Sequence, residues 1–297
     1  MHNLTFGNTY EKCRALPART KSLSGTQALQ PVQQTMSLKP EVDSPIVKDD
    51  SERASKVQTL FWYGVTDTGR VREHNEDNFA VLELAGKTLF IVADGMGGHE
   101  GGEVASRIAV ETACKLVQKE HVLRADNLDL VERAVQEANL RVREEGANRG
   151  SDMGTTLCVA LVENDVAYVA NVGDSRVYWI ENGSLSQITT DHSLVAKLVA
   201  IGKLIKEEAR NHPKSNLLFR TVGNEEAVTV DTFRVPLKKT GTLLLCTDGL
   251  WGDVVDEEIE WVCSREEDPV SAGDWLIDLA RENGGKDNIT AVVVKVR

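Results

Sequence analysis

The feature that most restricts this chain is a series of short apolar runs whose gaps are too small to hold a helix. FAVLEL and TLFIVAD are separated only by Ala85, Gly86 and Lys87, and TTLCVALV and VAYVANV only by Glu163, Asn164 and Asp165. RVYWI and SLSQI are separated by Glu181 and the hairpin dipeptide Asn182-Gly183. A parallel pair of strands needs a crossover of about a dozen residues or more, so these consecutive strands must be antiparallel neighbours. Helical periodicity appears in GEVASRIAVETACKLVQKE and LDLVERAVQEANLRVREE, and again in DEEIEWVCS and DPVSAGDWLIDLARENG. The two early helices adjoin in sequence and can pair on one face, while the late pair can cover another. The pattern predicts an α+β fold of sheets sandwiched between helix layers.

At 297 residues with 41% hydrophobic content, the chain can supply the core of one large domain, placed at 59–297, plus a tail. Residues 1–58 are polar, contain Pro17, Pro31, Pro40 and Pro45, and keep no sustained period, which predicts a disordered N-terminal extension. No apolar run approaches the ~18 residues that cross a bilayer, and Met1 to Arg14 lacks the apolar centre of a secretory signal. The expectation is a cytoplasmic protein with no membrane partner. The first 38 residues, Ser/Thr-rich with Glu11 as their one acid, have the composition of an organellar transit peptide, and Met36 offers an alternative start.

Five widely separated cysteines without a C-x-x-C pair argue against both a disulfide framework and a zinc site. The net charge is −12, yet residues 1–58 hold eight Lys and Arg against six Asp and Glu, so the acidity belongs to the body. Such a body repels nucleic acid, and no basic stripe with interleaved aromatics reverses that. A phosphate-handling function then needs cations from elsewhere.

The acids fall at strand ends. Asp94 closes TLFIVA, Asp174 closes VAYVANVG and Asp248 closes GTLLLCT, each followed by Gly or Ser, while Asp77 and Asp287 sit just before strands begin. In an antiparallel sheet the end of one strand lies beside the start of its neighbour, so all five carboxylates can share one edge. Bare, they would repel one another and force protonation; a hard divalent cation held by oxygen ligands relieves this. Carboxylates without a Cys/His set favour Mg²⁺ or Mn²⁺. Gly95 would let its backbone carbonyl approach an ion, and cations on an acidic edge would present positive potential to phosphate.

Taken in order, VREHNEDN, FIVADGMGGHEGGEVAS, MGTTLCVA, VANVGDSRVYWI, TTDHS, LLLCTDGLWG and GGKDNITAVVV resemble the metal-dependent protein serine/threonine phosphatases of the PP2C (PPM) type, particularly the bacterial members. The resemblance covers nearly all of residues 60–297. It implies a four-layer αββα fold, a central antiparallel β-sandwich flanked by helix layers, with a variable flap at 193–226. It implies that Asp77, Asp94, the Gly95 carbonyl, Asp248 and Asp287 bind two Mn²⁺ or Mg²⁺ ions, with Asp174 and Asp248 at a third. Glu76 would hold metal-bound water and Arg72 would grip the phosphate. The implied reaction is hydrolysis of phosphoserine and phosphothreonine by in-line attack of hydroxide, without a covalent enzyme intermediate. The implied partners are phosphoprotein substrates and an opposing Ser/Thr kinase, with the enzyme itself a monomer.

Many eukaryotic members carry His directly after the Asp-Gly pair as a proposed general acid. This chain has Met96 there, which leaves His99 in the glycine loop as the candidate donor. His74 and His192 are expected in supporting roles. The flap carries Lys197, Lys203, Lys206, Arg210 and Lys214, a basic surface that could guide acidic phosphoproteins. CRALPAR matches C-x5-R but lies in the extension, with no strand before it. Neither G-x-G-x-x-G nor the full G-x-x-x-x-G-K-[ST] is completed, and no EF-hand loop is present. The alternative from another class is an inactive metal-binding regulatory module of the same fold, which the loss of one or more of the acids would signal.

Overall fold

The computed structural model describes residues 4–7, 59–97, 101–123, 126–210, 212–237 and 240–297. Two antiparallel sheets form the centre. The first runs β1 (Leu4–Gly7), β3 (Asp77–Leu84), β4 (Lys87–Gly97), β6 (Leu157–Glu163), β7 (Val166–Val172) and β10 (Asp231–Pro236), with β5 (Met153–Thr155) added on β4. The second runs β2 (Leu60–Asp67), β12 (Ile289–Val296), β11 (Gly241–Cys246), β8 (Arg176–Glu181) and β9 (Ser184–Gln187). The expected hairpins are present. Asn182 and Gly183, at φ 52° and 69°, turn β8 into β9 with the paired positive φ that makes Asn-Gly the preferred dipeptide there.

Helices α1 (Gly101–Glu120) and α2 (Asn127–Arg149) lie on the outer face of the first sheet, where Ala105, Ala109, Leu130 and Ala134 join Leu89, Ile91 and Val159 in one core. Helices α6 (Asp256–Arg265) and α7 (Pro269–Glu282) cover the second sheet through Ile259, Val262, Leu276 and Ile277. Phe79, Phe90, Val92, Leu243, Leu245 and Val292 fill the space between the sheets. Because both faces of each sheet are covered, the central strands read as nearly continuous apolar runs. The layers are α, β, β, α, as expected. Cys114, Cys158, Cys246 and Cys263 are free and buried in these cores. Among the described residues no helix is long and apolar enough to cross a membrane.

Three local features depart from the sequence pattern. Leu4–Gly7, inside the stretch expected to be disordered, pairs its backbone with the edge of β3; four residues are too few to register as a period. The rest of 1–58, with CRALPAR and the transit-like composition, lies outside the described residues. Strand β4 does not stop at Asp94 but continues to Gly97, because β5 supplies ladder partners to Gly95, Met96 and Gly97. Finally, Asp248 opens a single helical turn, α5 (Asp248–Trp251), directly after β11.

Candidate metal centre

The β3–β4 register sets Asp77 and Asp94 directly opposite each other. On the facing sheet, Cys246 of β11 pairs with Ala291 of β12, so Asp248, just past one strand, and Asp287, just before the other, lie at the same end. Asp174 sits in the connection from β7 to β8, where the chain passes from one sheet to the other. The acids foreseen at strand ends and starts are thus brought to one end of the sandwich.

The acids bear on one another electrostatically. Burial drives the Asp94 carboxyl well above its usual range, and Asp248, Asp77, Asp174 and Asp287 each add repulsion. Burial likewise raises Asp77, with Asp248 and Asp287 adding to the rise and the hydroxyls of Thr290 and Thr247 opposing it. Asp174 is raised by burial and then by Asp248 and Asp191, against Arg176. Asp248 is pushed up to about 6, first by burial and then by Asp287. Among the described residues no three His, Cys, Asp or Glu side chains already close around a single point as an ion cage would. The donor set nevertheless fits a hard cation in two respects. It is all oxygen, and Oδ1 of Asp77 and Oδ1 of Asp248 are buried without a hydrogen-bond partner among the described residues.

The surrounding groups hold these acids from the protein side. The Asp94 N–H donates to Oγ1 of Thr156 (2.9 Å), and Oγ1 of Thr155 donates to the Asp94 carbonyl (2.8 Å). The Glu76 carbonyl accepts from Oγ of Ser106 (2.6 Å) and from the Gly95 N–H (3.2 Å). Asn288 ties the site together by accepting from the Glu76 N–H (2.8 Å) and donating to the carbonyls of Thr68 and His74, each at 2.9 Å. Gly95 is required for packing: a Cβ there would overlap the Gly102 carbonyl at the start of α1 and crowd the Glu76 carbonyl. The glycine in the motif therefore lets β3, β4 and α1 close together. Burial raises the Glu76 carboxyl, Asp287 adds to this, and Arg72 opposes it.

Arg72 stands at the rim with Nη2 2.7 Å from Oδ2 of Asp287, so its first partner is an acid of the cluster itself. Met96 lies in β4 opposite Gly154 of β5. His99 lies outside the described residues. The His74 carbonyl belongs to the Asn288 network. His192 is buried under the flap, where its Nδ1 accepts from the Gly173 N–H (3.0 Å) and its Nε2 faces Asp231 (3.2 Å). The flap carries two short helices, α3 (Leu194–Ala200) and α4 (Lys206–Arg210), and Lys197 lies over the ring of Phe219 at 3.7 Å. Thr66, Thr155, Thr156, Ser106, Thr247, Asn288 and Thr290 were not singled out from the sequence. Hydroxyl and amide side chains carry no periodic signal, and their partners lie up to 224 residues away.

Buried acids at one end of an αββα sandwich, two with unmatched oxygens and one paired with an arginine, mark the class as one with a candidate cation site. Comparison with known families gives the particular one: residues 68–284 match the family described as Protein phosphatase 2C. The chain belongs to that family and is a protein phosphatase. It is 42% identical over 235 residues to the Serine/threonine phosphatase stp of Listeria welshimeri, covering 77% of this chain and 93% of that one. The crystal structure of Serine/threonine phosphatase Stp1 from Staphylococcus aureus superposes with a TM-score of 0.76 at 33% identity, over 80% of this chain and 96% of the other. The catalytic domain of the serine threonine protein phosphatase PstP, solved in complex with 2 manganese ions, gives a TM-score of 0.71 at 33% identity, over 80% and 99% of the two chains. The resemblance drawn from the motifs is borne out.

Proposed function

We propose that this chain hydrolyses phosphoserine and phosphothreonine in proteins, opposing a Ser/Thr kinase, and that it does so with two Mn²⁺ or Mg²⁺ ions. The observation that carries this reading is the pair of orphaned, buried carboxylate oxygens on Asp77 and Asp248 within a group of acids that raise one another. Leaving two such oxygens unpaired costs folding free energy that a bound cation would return. Asp77, Asp94, the Gly95 carbonyl, Asp248 and Asp287 would hold the two ions, and Asp174 with Asp248 a third. The PstP structure with its 2 manganese ions supports the metal assignment. When bound, the ions would supply Lewis-acid stabilisation of the phosphoryl group and a source of hydroxide near neutral pH.

The protein's own groups would orient the substrate and move its protons. Arg72, already anchored to Asp287, offers planar N–H donors that suit phosphate oxygens and stands beside the acidic cluster. Glu76, held through its own backbone by Ser106 and Asn288, would accept hydrogen bonds from water in the site. His99 is kept as the proton donor to the leaving serine or threonine on the strength of the sequence. The direct test is turnover of p-nitrophenyl phosphate and of a phosphothreonine peptide with Mn²⁺, with Mg²⁺ and with EDTA. Metal-dependent release of phosphate is expected, abolished by EDTA. Binding of Mn²⁺ without turnover would instead favour a regulatory module.

A further inference from the structure

Asp77 is held in an unusual way. Among the described residues both hydrogen bonds to its carboxylate fall on one oxygen, Oδ2, which accepts from Oγ1 of Thr247 and Oγ1 of Thr290, each at 2.7 Å, and Oδ1 has no partner. The direction of every proton behind this pair follows by elimination, since a hydroxyl has one hydrogen to give. Thr290 spends its hydrogen on Asp77, so the 2.8 Å contact between Thr290 and Thr66 must be donated by Thr66. Thr66 therefore accepts from Nδ2 of Asn75 at 2.9 Å. Asn75 closes the path by accepting the Asp77 N–H at its Oδ1 (3.1 Å). Thr247, for its part, accepts the Thr290 N–H at 3.0 Å.

The path crosses the sandwich. Thr66 and Thr290 are register partners on β2 and β12 and Thr247 follows β11; Thr247 and Thr290 reach over to the first residue of β3 in the other sheet, and Thr66 backs Thr290. Thr247 and Thr290 are fully buried, so water does not compete for these hydroxyls. The donors come entirely from the second sheet and saturate the oxygen that faces it.

We propose that Thr247 and Thr290 are positioning residues of the metal centre: they turn the Asp77 carboxylate so that only Oδ1 is presented to a cation, and Asn75 and Thr66 fix the direction of the Thr290 hydroxyl. The inference rests on the metal-dependent reading above. Groups one step behind metal ligands are worth about 10–100-fold in affinity.

The test is calorimetric titration of Mn²⁺ alone into the full chain, freed of metal with EDTA and dialysed, alongside its melting temperature without metal. Thr290→Val is expected to weaken Mn²⁺ binding about 10- to 100-fold. Thr290→Ser, which keeps the hydroxyl, is expected to restore it, and Thr66→Val to give a smaller loss. Thr247→Val replaces Thr290→Val if that variant fails to fold by circular dichroism. Should the unsubstituted chain bind no Mn²⁺, the metal-dependent reading fails, and this inference with it. Should the unsubstituted chain bind and a folded valine variant bind equally well, or Thr290→Ser bind as weakly as Thr290→Val, the positioning role alone is overturned.

Discussion

Two groups of buried charge in this protein are treated in opposite ways. At Arg176 and Asp191 the compensation is complete. The guanidinium donates to both carboxylate oxygens, at 3.0 and 2.7 Å, and to the Tyr178 hydroxyl at 2.8 Å, and its face rests 3.6 Å from the centre of the Trp251 ring. Gln187 donates a further hydrogen bond to Asp191 at 2.9 Å. At Asp77, Asp94 and Asp248 two oxygens have no partner among the described residues and the neighbouring acids repel. The same fold thus shows that it can satisfy a buried charge in full. Where it does not, the proposed cations would complete the compensation.

The sharpest way to break this contrast is Asp248→Asn. With Mn²⁺ present, turnover of p-nitrophenyl phosphate should fall by at least about 100-fold, the scale on which loss of one electrostatic group is felt in such sites. In EDTA the same variant should melt no lower than the unsubstituted protein, because a repelled carboxylate has been removed. A markedly lower melting temperature in EDTA would make Asp248 a structural acid like Asp191.

Asp191→Ala should behave in the reverse manner. It removes the principal carboxylate partner of the buried Arg176, leaving Asp256 at 3.9 Å, at a cost of about 3–5 kcal/mol, read by urea unfolding in EDTA. A double replacement of Arg176 and Asp191 by Met and Leu should recover most of that loss, since a buried pair exchanged for apolar groups is often close to neutral. A double variant as unstable as the single one would show that the pair does more than neutralise itself.

Metal should stabilise only the uncompensated region. Mn²⁺ at 100 times its dissociation constant should add about 2.7 kcal/mol per independent site to unfolding, and Asp191→Ala should gain as much as the parent. Unequal gains would mean that the two regions are coupled.

The smallest expected effect concerns His192, next to Asp191. Burial lowers its pKa below the ordinary 6.5, with Arg220 acting in the same direction and Asp231 opposing. The Gly173 N–H donates to Nδ1, so the folded state keeps the ring neutral. Below pH 6.5 the unfolded chain therefore binds the proton more readily than the folded one, and stability is lost as pH falls through that value. The difference in unfolding free energy between the parent and His192→Asn, followed by urea from pH 7.5 to 5.5, should narrow on acidification. A constant difference would show that His192 titrates alike in both states.

Much of the fold was legible because its signals are local. Gaps of two or three residues made the hairpins antiparallel, Asn182-Gly183 named its own turn, and the apolar period of α1, α2, α6 and α7 was long enough to read. The extension of β4 past Asp94 was not legible, since glycines carry no strand pattern and the partner strand, Met153–Thr155, lies almost sixty residues on. The acids of the centre were visible as residues following or preceding apolar runs. Their hydroxyl supports were not, because a buried threonine and a surface threonine read alike until the partner strand is in place.

By itself, then, the sequence determined which segments become strands and helices, which neighbours must run antiparallel, and that five acids stand at strand termini. Backbone sterics, side-chain period and turn chemistry act over a few residues, and a linear string contains all of them. Only the tertiary structure decided that Asp77 faces Asp94, that Thr247 and Thr290 spend their hydrogens on one oxygen of Asp77, and that Arg176 is fully paired while Asp248 is not. Those outcomes depend on sheet register and on the stacking of two sheets. Contacts between residues some 200 positions apart exist only once the core has closed.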